Sequence, residues 1–451
     1  MNSLKISNSL TKSKDLFKPI NLKNITMYVC GPTVYADPHV GNGRSLIVFD
    51  LLYRVLIKLY GQKNITYVRN ITDIDDKIIE TSKIKNISID RITSNVTKIF
   101  HTNAKDLNCL EPTLEPKATD YIKEMIEMIN SLVEKKLAYI NNGHVYFLIS
   151  KFKNYGKLSN KKLDDLVAGS RVEISKLKKN PLDFILWKPA LSKEPGWDSP
   201  WGRGRPGWHL ECSVMSEKHL GKTFDIHGGG LDLLFPHHEN EIAQSCANNS
   251  TDILANYWVH NGFLTMNKEK MSKSLGNIET ISEALSKYNG QVIRLALLSA
   301  HYKQPLDWSD NLLEQSKATL EKWYELYDEA EIETHNSEIF LCLLDDLNTP
   351  KYFAKLHELY NAANKGDKDK RNEFNDACRF LGIFNQKKDV LIKQKKEASN
   401  VNEKYILQKI DERIKARKTH DFKLADSIRD ELFKNGIIIE YKDNKTEWKY
   451  K

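Results

Sequence analysis

Among 451 residues there are only six cysteines, Cys30, Cys109, Cys212, Cys246, Cys342 and Cys378, and no two form a CxxC pair or a regular framework. A disulfide scaffold is thereby excluded; reduced thiols are expected, one or two of them available as metal ligands and the rest in packing roles. Long apolar runs are also missing. None approaches the roughly 20 residues of a membrane helix, so no transmembrane segment is expected. The N-terminus "MNSLKISNSLTKSKDLF" lacks the continuous apolar core of a secretory signal and carries Lys without Arg, unlike a transit peptide, which leads to a cytoplasmic expectation. "HENE" has no second histidine to complete H-E-x-x-H, and P-C-x-x-C is absent, which sets aside metalloprotease and deaminase chemistry. There is no internal repeat. Neither sign of charge dominates: 68 basic against 60 acidic residues leave +8, spread along the chain, a small excess in the direction of phosphate or nucleic acid.

A chain of this length divides into two or three domains. "ITMYVCGPTVY" reads as a buried strand running into a Gly/Pro turn, and apolar residues at helical spacing follow (Leu46, Phe49, Leu52, Val55, Leu56, Leu59) before a second strand, "ITYVRNI". Strand, helix, strand implies a parallel sheet with a right-handed crossover. From about Ile84 to Pro206 helical patterns and Lys-rich loops suggest an insertion, after which "FDIHGGG" and "YWVHNGFLTM" resume the sheet. The expected architecture is an α/β, doubly wound sheet split by an insertion, with a ligand crevice at the carboxyl ends of its strands. Beyond Leu312 amphipathic helices dominate, and the last segment reads as a helix, a Gly stop at Gly436, a short strand and a basic tail.

Three groups of residues carry chemistry. In "GPTVYADPHVGNGR" a helix begins near His39, so its N-terminal dipole faces the crevice and His39 and Asn42, three apart, point to one side as donors to a phosphate. "NKEKMSKSLGN" places Lys270 and Lys273 around hydroxyls in a Gly-ended loop, which suits a departing pyrophosphate. The third group joins Cys30 and Cys212 to "FPHHENE". On a helix His237 and Glu241 are i and i+4 while His238 and Glu241 are i and i+3, so spacing leaves the choice of histidine open. Two thiols, an imidazole and a carboxylate suit Zn²⁺, although nothing in the spacing resembles a zinc finger.

PxHxGN after the first strand together with an intact KMSKS resembles the class I aminoacyl-tRNA synthetases, with HVGN standing where that class has HIGH. "MYVCGPTVY", "YVRNITDIDDKI", "GRPGWHLECS", "FDIHGGGLDLLFPHHENEIAQS", "KMSKSLGN", "DDLNTP" and "DFKLADSIRDEL" are similar to one family of that class, the cysteinyl-tRNA synthetases, nearly end to end. The resemblance implies a Rossmann-type catalytic domain in two halves, 1–83 and 207–311, split by an insertion at 84–206 that does not edit. A helical bundle at 312–404 and an anticodon-binding segment at 405–451 would follow. It implies one zinc per chain on Cys30, Cys212, His237 and Glu241; an amino-acid pocket with Thr72 and Trp208; ATP, with Mg²⁺, beside Gly41, His227, Asp232 and Lys273; and catalytic His39, Asn42, Lys270 and Lys273. The implied partners are L-cysteine, ATP and tRNA-Cys, with Arg413, Lys415, Arg417, Lys418 and Trp448 placed toward RNA, and the chain is expected to act as a monomer. Two other readings compete with it, a ligase joining cysteine to an amino sugar and a non-catalytic zinc-dependent RNA-binding module. Retention of "DFKLADSIRDEL" and of both nucleotide signatures disfavours them.

Overall fold

Ile25–Val29 is buried at every position, as a strand covered on both faces must be. In the computed structural model, which describes residues 3–160, 177–271, 276–330, 338–387, 389–390, 401–442 and 445–450, this strand (β1) is central. Ile65–Arg69 (β2), Phe224–Gly230 (β3) and Ala255–Asn261 (β4) complete a parallel sheet of order β4-β3-β1-β2. Helix α1, Val40–Tyr60, makes the crossover from β1 to β2. Five of its six periodic apolar residues are buried, Leu59 being the exception near the C-terminal end, and the helix stops at Gly61 with φ +84°.

Because β2 and β3 flank β1 on opposite sides, the chain leaves β1 in one direction and returns in the other. This is the reversal that opens a crevice at the carboxyl ends of a doubly wound sheet. The ends of β1 and β3 are in register there: Val29 pairs with Gly228, and the Cys30 N–H donates to the Gly228 carbonyl at 3.1 Å.

The insertion carries its own antiparallel sheet of Ala138–Asn141, His144–Phe147, Phe184–Pro189 and Gly204–Pro206. Its core is not separate from that of the parallel sheet. Met125, Ile129, Leu132, Phe147 and Trp187 belong to the same buried cluster as Tyr28, Val68, Phe224 and Trp258. The last insertion strand runs through Gly207 into α2, Trp208–Leu220, and α3 spans Glu239–Asn249.

Contacts divide the chain into two compact units, Met1–Leu326 with Ile332–Ile383, and Tyr327–Glu331 with Phe384–Lys451. In the smaller unit Ile406, Ile410, Ile428, Leu432 and Ile437 form a core. The basic tail expected there is a strand: Lys445–Tyr450 pairs with Ile437–Lys442, setting Trp448 opposite Ile439. Trp448 is partly buried and packs against that small core. Charged residues alternating with Trp448 and Tyr450 are the period-2 pattern of a half-exposed strand, which the basic composition of the segment masks.

Candidate active site and metal cluster

A cleft of about 1480 Å³ opens where β1 and β3 end, and its walls include Cys30, His39, Asn42, Trp208, Asp232 and Met271. On one side lies the first turn of α1. His39 is the N-cap: its Nδ1 accepts from the Asn42 N–H at 3.3 Å, and Asn42 Oδ1 accepts from the His39 N–H at 3.1 Å, a reciprocal capping box. These partners assign the remaining proton of a neutral His39 ring to Nε2, and the Asn42 side chain still carries an amide donor. The backbone amides contribute less than expected, since the Val40 N–H is taken by Glu279 O at 3.0 Å. Gly41 permits a close approach here; a Cβ on it would lie 2.9 Å from the His39 ring and from Met271 Cε.

The second signature leaves the strand Leu264–Met266 through a tight turn at Asn267 and Lys268, both at positive φ (49° and 70°). Glu269–Lys270 then pairs back antiparallel. Met271 reaches the cleft wall; Lys273 lies outside the described residues.

Four expected ligands, far apart in sequence, meet at the carboxyl end of β1. Cys30 follows β1, Cys212 lies on α2, His237 lies in the turn before α3, and Glu241 lies in the first turn of α3. Cys30 Sγ is 3.6 Å from Cys212 Sγ, 3.5 Å from His237 Nε2 and 3.5 Å from Glu241 Oε1. Their donor atoms all lie within 4.8 Å of one another, a set that could hold a metal ion. A second set, Cys30, His227, His238 and Glu241, meets the same criterion, so both candidate histidines touch Cys30, His238 Nε2 at 3.4 Å. The first set offers two thiols, the second one thiol and two imidazoles.

Burial opposes a charge on Glu241, but the His227 and His237 imidazoles hold its carboxyl well below the usual range. Burial likewise works against a cationic His237, yet Glu241 raises it to about 10. Burial pushes the Cys30 thiol up; Cys212, although buried as well, is brought down to about 6 by the hydrogen bond from Cys30.

Other expected residues surround this cluster. Trp208 stacks on His237. Thr72 is buried, its hydroxyl donating to Glu211 Oε2 at 2.9 Å and accepting from Asn70 Nδ2 at 3.2 Å. Asp232 lines the cleft, but His227, expected beside the nucleotide, is fully buried on the face of Trp258 with Nε2 2.8 Å from Glu241 Oε2.

Residues that motif reading passed over form a second layer. His209 Nδ1 meets His237 Nδ1 at 2.8 Å, and His260 Nε2 meets His238 Nδ1 at 2.8 Å, fixing which ring nitrogen each faces inward. The only sequence signal is His209 three residues before Cys212 on α2; His260 lies inside β4 and carries none. Glu239, in the same stretch as the ligands, is buried and accepts from the backbone N–H groups of Gly156 at 2.9 Å and Ser159 at 2.8 Å, anchoring the insertion to α3.

Residues 16–318 match the family described as tRNA synthetases class I (C) catalytic domain. The structure resembles Mycobacterium tuberculosis methionyl-tRNA synthetase in complex with methionyl-adenylate, with a TM-score of 0.56 at 11% identity over 80% of this chain and 89% of that one. It also resembles the ternary complex of Agrobacterium radiobacter LeuRS with tRNA and LeuAMS, with a TM-score of 0.57 at 10% identity over 81% and 83% of the two chains. Fold and site therefore define a class I tRNA synthetase, an enzyme and an ATP-dependent ligase.

Over 450 residues the chain is 55% identical to the cysteine–tRNA ligase of Pelagibacter ubique, covering 99% of both sequences. It is 49% identical to that of Rickettsia bellii, covering 97% of both. The chain belongs to the cysteine–tRNA ligase family. Among its described residues no helix is long and apolar enough to cross a membrane.

Proposed function

We propose that the enzyme joins L-cysteine to ATP as cysteinyl-adenylate, releasing pyrophosphate, and passes the cysteinyl group to the 3′-terminal adenosine of tRNA-Cys. The observation that carries this reading is that Cys30, from the thiol-rich cluster, and His39 and Asn42, from the first signature, line one cleft. A substrate carboxylate is already ionised at neutral pH, so its attack on the α-phosphate needs no general base. The protein's work is then placement and charge stabilisation. His39 and Asn42 donate to the reacting phosphate; Lys270 and Lys273 offset the charge of the departing pyrophosphate, and Mg²⁺ accompanies the nucleotide. Gly41 leaves room for the phosphates, and Asp232 faces the nucleoside.

Cys30, Cys212, His237 and Glu241 would hold one Zn²⁺, and the donor set fits: two thiols, an imidazole whose other nitrogen is engaged by His209, and a carboxylate that its histidine neighbours keep ionised. Bound zinc supplies a preference for a thiolate over a hydroxyl, which shape alone cannot provide between cysteine and serine. Thr72 and Trp208 border the amino acid. Discrimination of this kind can reach roughly 10⁴ to 10⁵ without a second hydrolytic site, so the 84–206 insertion need not edit. The helices of 312–404 and the segment 405–451 would engage tRNA, the latter at the anticodon, with the enzyme a cytoplasmic monomer.

The test is ATP–pyrophosphate exchange with cysteine and with serine, with and without a chelator, followed by charging of tRNA-Cys. Exchange that needs no amino acid, or that accepts serine equally, would overturn the reading.

A further inference from the structure

Arg44 lies two residues beyond Asn42 on α1, is fully buried, and faces no carboxylate among the described residues. Its partners are all backbone carbonyls. Nη1 donates to Gly262 at 3.0 Å and Phe263 at 2.7 Å, and Nη2 donates to Gln304 at 2.5 Å and His301 at 3.4 Å. Burial brings the guanidinium down to about 10, so it is still a cation at neutral pH. A buried cation without a counter-ion is costly, and an apolar side chain of similar size would serve packing as well.

The carbonyls it gathers belong to two segments. Gly262–Phe263 leads from β4 into the strand Leu264–Met266, from which the hairpin to Lys270 hangs; His301–Gln304 leads into Leu306–Trp308, the parallel partner of that strand. The segments touch backbone to backbone: the Gly262 N–H donates to Tyr302 O at 2.8 Å, and a Cβ on Gly262 would lie 2.7 and 2.8 Å from the carbonyl oxygens of Lys303 and Gln304. The far root of the second signature is tied to the same part of the chain, since Val40 donates to Glu279 O at 3.0 Å and Ile281 donates to Pro38 O at 2.8 Å. Both ends of the stretch carrying Lys270 and Lys273 are therefore bonded to residues 38–44, and Arg44 makes the bond at the first end.

We propose that Arg44 is a positioning residue for adenylate formation, its fork locking the root of the second signature against the first-signature helix so that both close on one triphosphate. A planar fork can hold carbonyls of two segments at once, whereas the point charge of a lysine cannot span them in the same geometry. This inference rests on the reading that both signatures serve ATP.

The test is Arg44→Lys in the full-length enzyme, assayed by ATP–pyrophosphate exchange at saturating cysteine. The expected result is a fall in kcat of about 10- to 100-fold per titrated active site, the loss that a displacement of about 1 Å produces, with KM for cysteine within about threefold. Arg44→Met, which fills the same space without a fork, should lose at least as much. In a Lys270→Ala background, where one contact served by the clamp is already gone, Arg44→Lys should cost less than about threefold more. A kcat within about threefold of the unmodified enzyme, losses that multiply in the double variant, or failure of both variants to fold would each overturn the proposal. If the unmodified enzyme shows no cysteine-dependent exchange, the reading beneath it fails instead.

Discussion

Trp208 lies over His237 with ring centroids 4.1 Å apart and planes 29° apart, while 37% of its surface stays open to the cleft. One indole thus braces a candidate metal ligand and borders the space for an amino-acid side chain. Trp208→Ala should raise KM for cysteine about tenfold, near the upper end of what an aromatic pair contributes, and leave KM for ATP within about twofold. Trp208→Phe should recover most of that loss. Equal effects on both substrates in steady-state exchange kinetics would argue against a place in the amino-acid pocket.

The two overlapping donor sets make different demands on the histidine pair. If zinc sits with both thiols, His237→Ala and Cys212→Ala lose it, while His238→Ala keeps about one zinc per chain by elemental analysis, since a second-layer change weakens a site only about 10- to 100-fold. Zinc lost from His238→Ala and kept by Cys212→Ala would move the site to the second set.

Glu241 is held at Oε2 by His227 and approaches His237 through Oε1 at 3.0 Å, so its carboxylate has a partner to rest on if it loosens from a metal. A closed four-ligand site needs such a weak member in order to take a substrate thiol. Glu241→Ala should therefore change both cysteine affinity and serine rejection. Unchanged values for both in exchange assays would show that the carboxylate plays no part in selection.

Asn42 has two separable groups, since its Oδ1 caps α1 and its amide nitrogen is a donor. Asn42→Asp keeps the acceptor for the cap and removes the donor, so thermal stability should hold within about 1 kcal/mol while kcat falls about 100-fold or more. Asn42→His restores a donor and should retain activity within about tenfold. A silent Asn42→Asp in the exchange assay would remove Asn42 from the chemistry.

Asp50 joins α1 to the helix Gly290–Leu298. It is buried, accepts from Arg54 Nε at 2.8 Å and from the Leu110 N–H at 2.7 Å, and pairs with buried Arg294. Burial alone would raise its pKa, yet Arg294 and Arg54 bring it below 3.8. A lowered folded-state pKa means that the stability it contributes is complete above the unfolded value of about 3.9 and is lost as pH falls through the folded one. Asp50→Asn strands Arg294 and should cost about 3 to 5 kcal/mol in urea unfolding at pH 7. The gap between variant and unmodified enzyme should narrow below about pH 4; a gap independent of pH would mean that the charge is not its source.

Much of this was readable in advance where a single segment carries its own signal. The apolar run of β1, the helical spacing of α1 and the turn before His39 are local, and each forms as its residues dictate. The choice between His237 and His238 was not readable, because a turn with Phe235 in extended conformation precedes α3 and turns both rings toward Cys30. His227 shows the same limit in another way. Its stretch resembles a nucleotide contact, but β3 turns that side chain into the core, where Glu241 meets it.

The sequence alone determined a split parallel sheet, the two signature motifs and the residue types able to bind a metal, though not which histidine, because strand burial, helix periodicity and donor chemistry depend on residue type and spacing within one stretch. Tertiary structure alone decided that Cys30 and Glu241 are shared by two donor sets, that His209 and His260 orient the rings behind them, and that Arg44 clamps carbonyls more than 200 positions away. Those relationships arise where β1, β3, α2 and α3 converge and where loops from distant strands abut, and distance between packed elements is not encoded in the spacing of any motif.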